Sequence, residues 1–364
     1  MVSSLLLKVI EKQVTFCRKN HESGTSGKFQ MGGIVMIFKC KNCGGNVVYS
    51  PEQHKMYCPF CESVDSEEKK TERQSLSTCI NCGGELHVTE FVSASKCPYC
   101  DNYIVHDERV TGVYEPELII PFTFSKDMTK KLLRDKFKSC VFAPGDFLSE
   151  VKLDSMTGLY VPFFMYDYHA QGYYDGEGTK IRTWISGDKE FTETSVYHIV
   201  RDMEADFGRM PVDASEAMPD STMDLMEPFD YRALENFQEK YMSGFFAERF
   251  NQDDNVYEPR AAVKARTDAD SILKRSISGY NTLKSMQNSQ VSLKRTDTNY
   301  ALLPVWIYNY KYKGEDYRFH INGQTGKVIG RVPVSVKKVW GYGATVFASL
   351  FAILMLIRQL LLLL

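Results

Sequence analysis

The chain has 364 residues and a formal net charge of −2, and its residues are 43% hydrophobic and 13% aromatic. This composition supports a buried core, excludes an intrinsically disordered chain and gives no global basic bias toward nucleic acid. The length allows two or three compact units.

Residues 1–35 differ in character from the rest of the chain. The apolar run at residues 5–7 ends at Lys8, so it is too short for a signal peptide. Met36 stands just before the first cysteine pair. We therefore expect residues 1–35 to be a disordered extension or the result of a mis-assigned start, with translation beginning at Met36. An N-terminal peptide that begins upstream of Met36 would contradict the second interpretation.

Eight of the ten cysteines form a duplicated pattern of CxxC pairs, in which each of the first four recurs 39 residues later. A CxxC turn brings two thiolates to one edge of a tetrahedron, and a second pair completes a four-sulfur site for which Zn²⁺ is the expected metal. The pattern predicts two structural zinc ribbons, at 36–66 and 77–109. The predicted ligands are Cys40, Cys43, Cys58 and Cys61 in the first ribbon and Cys79, Cys82, Cys97 and Cys100 in the second.

Other interpretations of these cysteines fit less well. Disulfides at CxxC spacing would close strained loops, and nothing marks the chain as secreted. A thioredoxin-like redox site does not occur as four copies in register. An iron centre of the rubredoxin type stays open, because Cys-Pro-x-Cys knuckles also suit iron. A four-thiolate site has no open coordination position, so we predict a structural role for both metals.

Residues 67–76, which are rich in Glu and Lys, are predicted as a linker between the ribbons. Residues 110–336 are predicted to form one α+β domain. Apolar residues at helical spacing predict helices at 127–138, 231–250 and 259–276. Runs of β-branched and aromatic residues predict strands at 118–124, 160–168, 193–203, 301–312, 317–321 and 327–331.

Two aromatic segments of this domain, residues 162–168 and 304–310, resemble each other. Both read as strands, and both follow a predicted helix. We interpret them as marks of two related half-units within the domain, with a merely shared strand pattern as the alternative.

Three features of the domain resemble catalytic motifs but are predicted to be structural. Residues 323–327 end in Gly-Lys as a phosphate-binding loop does, but a strand follows instead of a helix, which indicates a hairpin turn. The acidic run at 202–230 is predicted to be a solvated loop. His169, His198 and His320 fall in predicted strands and lack the spacing of a metal site or a catalytic triad. We therefore predict no catalytic residues.

Residues 340–364 are predicted to be a transmembrane anchor. The seventeen residues from Gly341 carry no charge, and at 1.5 Å per residue they span about 25 Å, close to the hydrocarbon thickness of a bilayer. A buried helix of a soluble protein is the alternative, disfavoured because the segment is apolar on every face. Excess positive charge before the segment predicts cytoplasmic N-terminal domains. The flanking residues are Arg331, Lys337 and Lys338 on one side and Arg358 on the other.

Several phrases together resemble the YdjG-type family of bacterial zinc-ribbon membrane proteins over residues 36–340. They are the paired CxxCGG and CPxC knuckles, LYVPFFMYDY (159–168), MEPFDY (226–231), YMSGFFAE (241–248), LLPVWIYNYKY (302–312) and FHINGQTGKVIGRVP (319–333). Such chains are often labelled primosomal protein N′-like or helicase-like. The resemblance implies a membrane-associated protein that works with an SPFH (band-7) protein and a phage-shock protein A-type membrane-stress factor. It implies no catalytic mechanism.

We therefore expect two tandem zinc ribbons, an α+β domain and one transmembrane helix that contacts membrane lipid. The expected function is that of a single-pass adaptor, not an enzyme, that recruits cytosolic partners to the inner face of the cell membrane. The alternative is a nucleic-acid-binding protein related to replication factors. Residues 36–110 hold eight Lys and Arg against eleven Asp and Glu, and zinc–thiolate sites add negative charge, so this alternative has the wrong sign for phosphate contacts.

Overall fold

The computed structural model describes residues 32–75, 78–86, 88, 91–106, 109–215, 218–286 and 289–363. The extension predicted at 1–35 lies outside the described residues except for its last four positions. The strands are β1 (Gly32–Cys40), β2 (Val48–Ser50), β3 (Lys55–Tyr57), β4 (Glu67–Ser75), β5 (Val92–Lys96), β6 (Tyr103–His106), β7 (Leu118–Ile119), β8 (Thr157–Ser186), β9 (Lys189–Asp213), β10 (Glu235–Asn236), β11 (Phe246–Glu248), β12 (Thr282–Ser285), β13 (Gln290–Tyr312), β14 (Glu315–Asn322) and β15 (Val328–Ile329). The helices are α1 (Lys126–Phe137), α2 (Glu150–Leu153), α3 (Asp220–Met226), α4 (Asp254–Ser276) and α5 (Val336–Leu363).

Thirteen of the described strands form one sheet. Its main path runs β10-β7-β13-β8-β11-β5-β6-β1-β4, with β9 and β12 paired to β8, and β14 and β15 added beside β13. Strands β2 and β3 form a separate hairpin. The ribbon strands therefore continue the sheet of the following domain, and contacts unite the residues from Gly33 onward in one unit.

The two aromatic segments predicted to mark half-units lie side by side in the centre of this sheet. β8 and β13 pair antiparallel, β7 runs parallel to β13, and β11 runs parallel to β8. This register describes how two half-units would be related, by a local two-fold axis near Val161, while their common origin stays a prediction. The pairs that define the relation are Val161 with Leu303, Tyr160 with Pro304, Pro162 with Leu302, Ile119 with Leu302 and Tyr160 with Ala247.

Two predicted helices are confirmed, and their sequences explain them. α1 begins after Ser125, whose side chain accepts a hydrogen bond from the Met128 amide at 3.3 Å, as an N-cap residue does. α4 begins after the N-cap Asp253 and buries Ala261, Ala265 and Ala269 on one face together with Leu273. Small side chains four residues apart let this helix lie close against the sheet.

The domain predicted as α+β is mostly β. The segment predicted as a linker, 67–76, contains strand β4 at one edge of the sheet. The acidic run 202–230, predicted to be a solvated loop, instead contains the end of β9 and helix α3. Acidic residues are depleted in strands, but those of β9 largely occupy exposed positions.

The helix predicted at 231–250 is wrong. This segment contains two short 3-10 turns (Tyr231–Ala233 and Glu239–Met242) and the strands β10 and β11. Gly244 has a φ of +105° and approaches the first ribbon, where an added Cβ would lie 3.1 Å from Val48. Apolar residues that looked like one helical face instead pack in different directions around this turn.

One part of the sheet projects as a two-stranded arm. β12 pairs with β8 only as far as Thr179, and from Lys180 to Ser195 the strands β8 and β9 pair only with each other among the described strands. Trp184 and Phe191 stack across this distal arm with ring centroids 5.7 Å apart. The arm therefore keeps its shape through its own cross-strand pairs.

Candidate metal centres

The first ribbon gathers its four predicted ligands at two turns. One turn follows β1 and the other follows the β2–β3 hairpin. The sulfurs of Cys40 and Cys61 lie 3.6 Å apart, those of Cys43 and Cys58 lie 3.5 Å apart, and all four lie within 4.8 Å of one another. Gly44 permits the tight turn with a φ of +73°, a conformation that glycine adopts readily.

The second ribbon repeats this arrangement. The sulfurs of Cys79 and Cys100, and those of Cys82 and Cys97, are each 3.7 Å apart, and the four lie within 4.8 Å of one another. Gly83 has a φ of +74°, which matches that of its counterpart in the first ribbon. The structure thus brings together both sets of cysteines that the sequence predicts.

The donor sets fit zinc. A tetrahedral site with Zn–S distances of roughly 2.3 Å has sulfurs about 3.8 Å apart, close to the distances in both clusters. In each cluster the first and third cysteines are buried, whereas the second is exposed. Both clusters are therefore positioned to bind one zinc ion each, and their four sulfurs fill the coordination sphere. Bound zinc would crosslink the two turns of each ribbon without offering an open position for a substrate.

Hydroxyl and amide donors around the sulfurs favour the thiolate form that zinc requires. Hydrogen bonds from Ser63 and Ser66, at 3.1 and 3.5 Å, lower the pKa of the Cys40 thiol to about 5. Burial raises the pKa of the Cys100 thiol, but donors led by the Asn81 amide, 3.3 Å away, outweigh it and bring this pKa to about 7. Sequence reasoning missed these two serines and the asparagine, although each stands close to a knuckle.

The first ribbon is joined to the β domain by a buried contact. The Ser243 hydroxyl donates to the Val47 carbonyl at 2.6 Å, and the Tyr49 amide donates to the Ser243 carbonyl at 2.8 Å. Tyr49 also meets Tyr241 edge to face, with ring centroids 5.1 Å apart. Two ligands of the first site, Cys40 and Cys58, belong to the same hydrophobic core as these aromatic residues. The metal site therefore supports the domain core.

The two ribbons also contact each other. Met36 on β1 of the first ribbon pairs with Val105 on β6 of the second. The Asn46 side-chain amide donates to the carbonyl of Cys100 at 3.4 Å. Each ribbon therefore supplies part of the other's surroundings.

The remaining predicted features do not form a site together. His169 pairs with Asp206, and His198 pairs with Asp175, whereas His320 is buried in β14. Residues 323–327 lie in the turn between β14 and β15, as predicted. Within the described ranges, the two cysteine clusters are the groups arranged to hold a metal ion.

The C-terminal segment forms a helix that is suited to a membrane. Within the described residues, one helix is long and apolar enough to cross a bilayer, at Val336–Gln359, and none of its most apolar window is buried in the protein. Side chains on different faces, including Phe347 and Leu356, are exposed. Tyr342 in its second turn meets Phe142 of the body, with ring centroids 5.5 Å apart.

Comparison with known proteins agrees with these features. A family model of a zinc ribbon domain matches residues 37–65, which lie in the first ribbon. The uncharacterized protein YdjG of Bacillus subtilis (strain 168) is 36% identical over 335 residues, which cover 89% of this chain and 98% of that protein. No solved structure matches. With this identity over nearly the full length of both proteins, the chain belongs to the YdjG-type family of zinc-ribbon proteins.

Proposed function

We propose that the protein is a membrane-anchored adaptor in which two zinc ribbons and a β domain form one rigid body at the membrane surface. The observation that carries this proposal is helix α5, which is apolar and unburied along the candidate span and begins directly after the body. An apolar helix with no protein cover needs another apolar environment, and a bilayer supplies it.

The charges around the helix support a cytoplasmic body. Arg331, Lys337 and Lys338 precede or begin the span, and Arg358 stands near its end. Basic residues concentrate on the cytoplasmic side of membrane helices. The body would therefore face the cytosol at the inner face of the membrane.

The closed metal sites favour recruitment over catalysis. Four thiolates leave zinc without an open position, and the cavities lined by described residues contain no nucleophile paired with a general base. Partners would instead bind the exposed surface of the body. The family resemblance supplies two candidate partners, an SPFH (band-7) protein and a phage-shock protein A-type factor.

The test is purification from membranes in mild detergent of the tagged full-length chain, followed by mass spectrometry. The matched control is the same tagged chain ended after Ser335, which lacks α5. The proposal expects the full-length chain in the membrane fraction with partner proteins that resist nuclease, and the shortened chain in the soluble fraction.

The second candidate function, nucleic-acid binding, is supported only by the zinc ribbons themselves, a kind of module that also binds DNA and RNA. The same purification with and without nuclease separates the two functions. Replication or RNA factors that disappear with nuclease would favour this alternative, and equal partition of the two chains to the soluble fraction would refute the anchor.

A further inference from the structure

We propose that the end of the body from which α5 leaves is a docking surface for anionic lipid headgroups. This inference rests on the proposed membrane anchor and adds a second, peripheral contact with the same bilayer. The docking surface, or basal surface, consists of residues 138–142, 311–318 and 331–338. The position, the charge and the apolar side chains of these three segments support it.

The three segments lie at one end of the molecule. The Ser335 amide donates to the Phe142 carbonyl at 2.7 Å, and this bond lies one residue before α5 begins. Tyr310 donates to Asp146 at 2.8 Å and stacks on Tyr312, which places the β13–β14 turn beside the loop after α1. β15 pairs antiparallel with β14, so the chain after it runs back toward that turn.

The connection between body and anchor is short. Because a hydrogen bond and the ring contact of Phe142 with Tyr342 span the junction, the anchor does not hang from a free linker. A bilayer that holds α5 therefore meets the basal surface first.

The basal surface is strongly basic. Its three segments contain seven Lys and Arg against two acidic residues, Glu315 and Asp316. Glu315 accepts a hydrogen bond from Tyr317 at 2.9 Å, and Asp316 pairs with Lys311 across the strands. None of the seven basic residues takes part in the ion pairs between described side chains. They are Lys138, Lys311, Lys313, Arg318, Arg331, Lys337 and Lys338, and all are exposed.

Apolar side chains lie among these charges. Val141 is 62% exposed and Val334 is 55% exposed, on the two segments that the Ser335 hydrogen bond joins. An exposed valine gains by entering the apolar boundary of a bilayer, and a neighbouring lysine gains by contact with phosphate. A soluble acidic protein would match the charge alone, whereas the bilayer matches both features and is already held there by α5.

The test places the full-length chain in lipid nanodiscs and measures amide hydrogen exchange by mass spectrometry. One disc contains only zwitterionic phosphatidylcholine, and the other contains a share of anionic phosphatidylglycerol. Because one basic residue near an anionic surface changes binding roughly fivefold, we expect amides in 139–143 and 312–315 to exchange at least about fivefold more slowly in the anionic discs. The turn at Gly187, at the tip of the arm, is the internal reference and should not change.

Two charge-reversed variants make the test specific. The triple variant Lys311→Glu, Lys313→Glu and Arg331→Glu should lose the protection in anionic discs. The matched control, Lys180→Glu, Arg182→Glu and Lys189→Glu, makes the same change of charge on the distal arm and should keep it. Two bound zinc ions and unchanged exchange in the centre of β8 would show that both variants are folded.

Three results would overturn the inference. They are equal exchange in the two kinds of disc, protection that is already complete in zwitterionic discs, and loss of protection in the control variant. A chain that enters the discs but shows any of these results leaves the proposed anchor intact. A chain that does not enter the discs refutes the anchor and the docking surface together.

Discussion

Ser243 shows how a single side chain can join two parts of the protein. Its side chain is almost fully buried and donates to the first ribbon, while its own carbonyl accepts from the same ribbon. The connection comes from a part of the chain far from the ribbon in sequence. No local pattern in the sequence indicates it.

Replacing this serine should weaken the whole body. We expect Ser243→Ala to lower the free energy of unfolding by ~1–3 kcal/mol, because a buried hydrogen bond is lost. Ser155→Ala is the matched control, since Ser155 is exposed and donates only to the nearby Lys152 carbonyl. Thermal or denaturant unfolding in detergent measures both, and equal stability of the two variants would contradict the role of Ser243 as a link between ribbon and domain.

His320 should make stability depend on pH. Burial, together with the charge of Arg318, lowers its pKa from 6.5 to about 4. The unfolded chain therefore binds a proton between about pH 6.5 and pH 4 that the folded chain does not, and stability falls as the pH falls through this window.

His320→Leu removes this titration. Between pH 6.5 and 4, its stability should fall less steeply than that of the parent, by about 1.4 kcal/mol per pH unit for one proton. Unfolding measured at several pH values gives the two slopes. Curves that stay parallel from pH 8 to pH 4 would contradict the assignment to His320.

At the residue scale, the metal ligands could be predicted because zinc chemistry fixes both residue type and spacing. The cysteine clusters of the structure contain the residues that the sequence indicated. Ser63 and Ser66 were not predicted, since a serine near a cysteine has many ordinary roles. Their effect depends on distances of 3.1 and 3.5 Å to Cys40 that only the fold creates.

At the scale of elements, local signals succeeded where the element depends on its own sequence. Helices α1 and α4 were predicted from caps and periodic apolar residues, and the structure confirms them. The segment 231–250 failed because its apolar residues serve several neighbours. Tyr241 packs on the first ribbon, whereas Phe245 stacks on Phe122 with ring centroids 4.0 Å apart.

The distal arm should be removable. Because Lys180–Ser195 pairs only with itself among the described strands, we expect a chain in which residues 181–194 are replaced by Asn-Gly to keep its fold. Asn-Gly forms the tight turn that a two-residue hairpin needs. The variant should bind two zinc ions and unfold within a few degrees of the parent temperature.

The control for the arm is a longer deletion, in which residues 175–200 are replaced by the same turn. It removes the partners of β12 and the buried Ile199, which packs with Leu273 of α4. This deletion should lower the unfolding temperature clearly. If the shorter deletion were equally damaging, the arm would be part of the core and not an independent hairpin.

At the scale of the whole molecule, the ribbons and the β domain share one sheet and one core. Residues of the first ribbon, among them Met36, Cys40 and Tyr49, belong to the same apolar cluster as Tyr160 and Trp306 of the domain. The sequence predicted the ribbons as separate modules because each contains a complete set of ligands. Their long-range pairing could not be predicted, since it joins segments that share no local signal.

Loss of the first zinc site should therefore destabilise more than one ribbon. We expect Cys40→Ser to bind one zinc ion instead of two and to increase hydrogen exchange in β11 and in the centre of β8. Cys140→Ser is the matched control, because Cys140 lies outside both clusters. Elemental analysis and exchange mass spectrometry measure these effects. Faster exchange restricted to residues 36–66 would show that the ribbon is independent.

The paired strands also set an order of events during synthesis on the ribosome. Ala94 of the second ribbon pairs with Ala247 of the domain, which emerges much later. At ~5–20 residues per second, the interval is on the order of ten seconds. Throughout this time the thiols of both ribbons are outside the ribosome while their sheet is incomplete. The nascent chain must therefore capture zinc, or be kept reduced, before the surface that finally covers the ribbons exists.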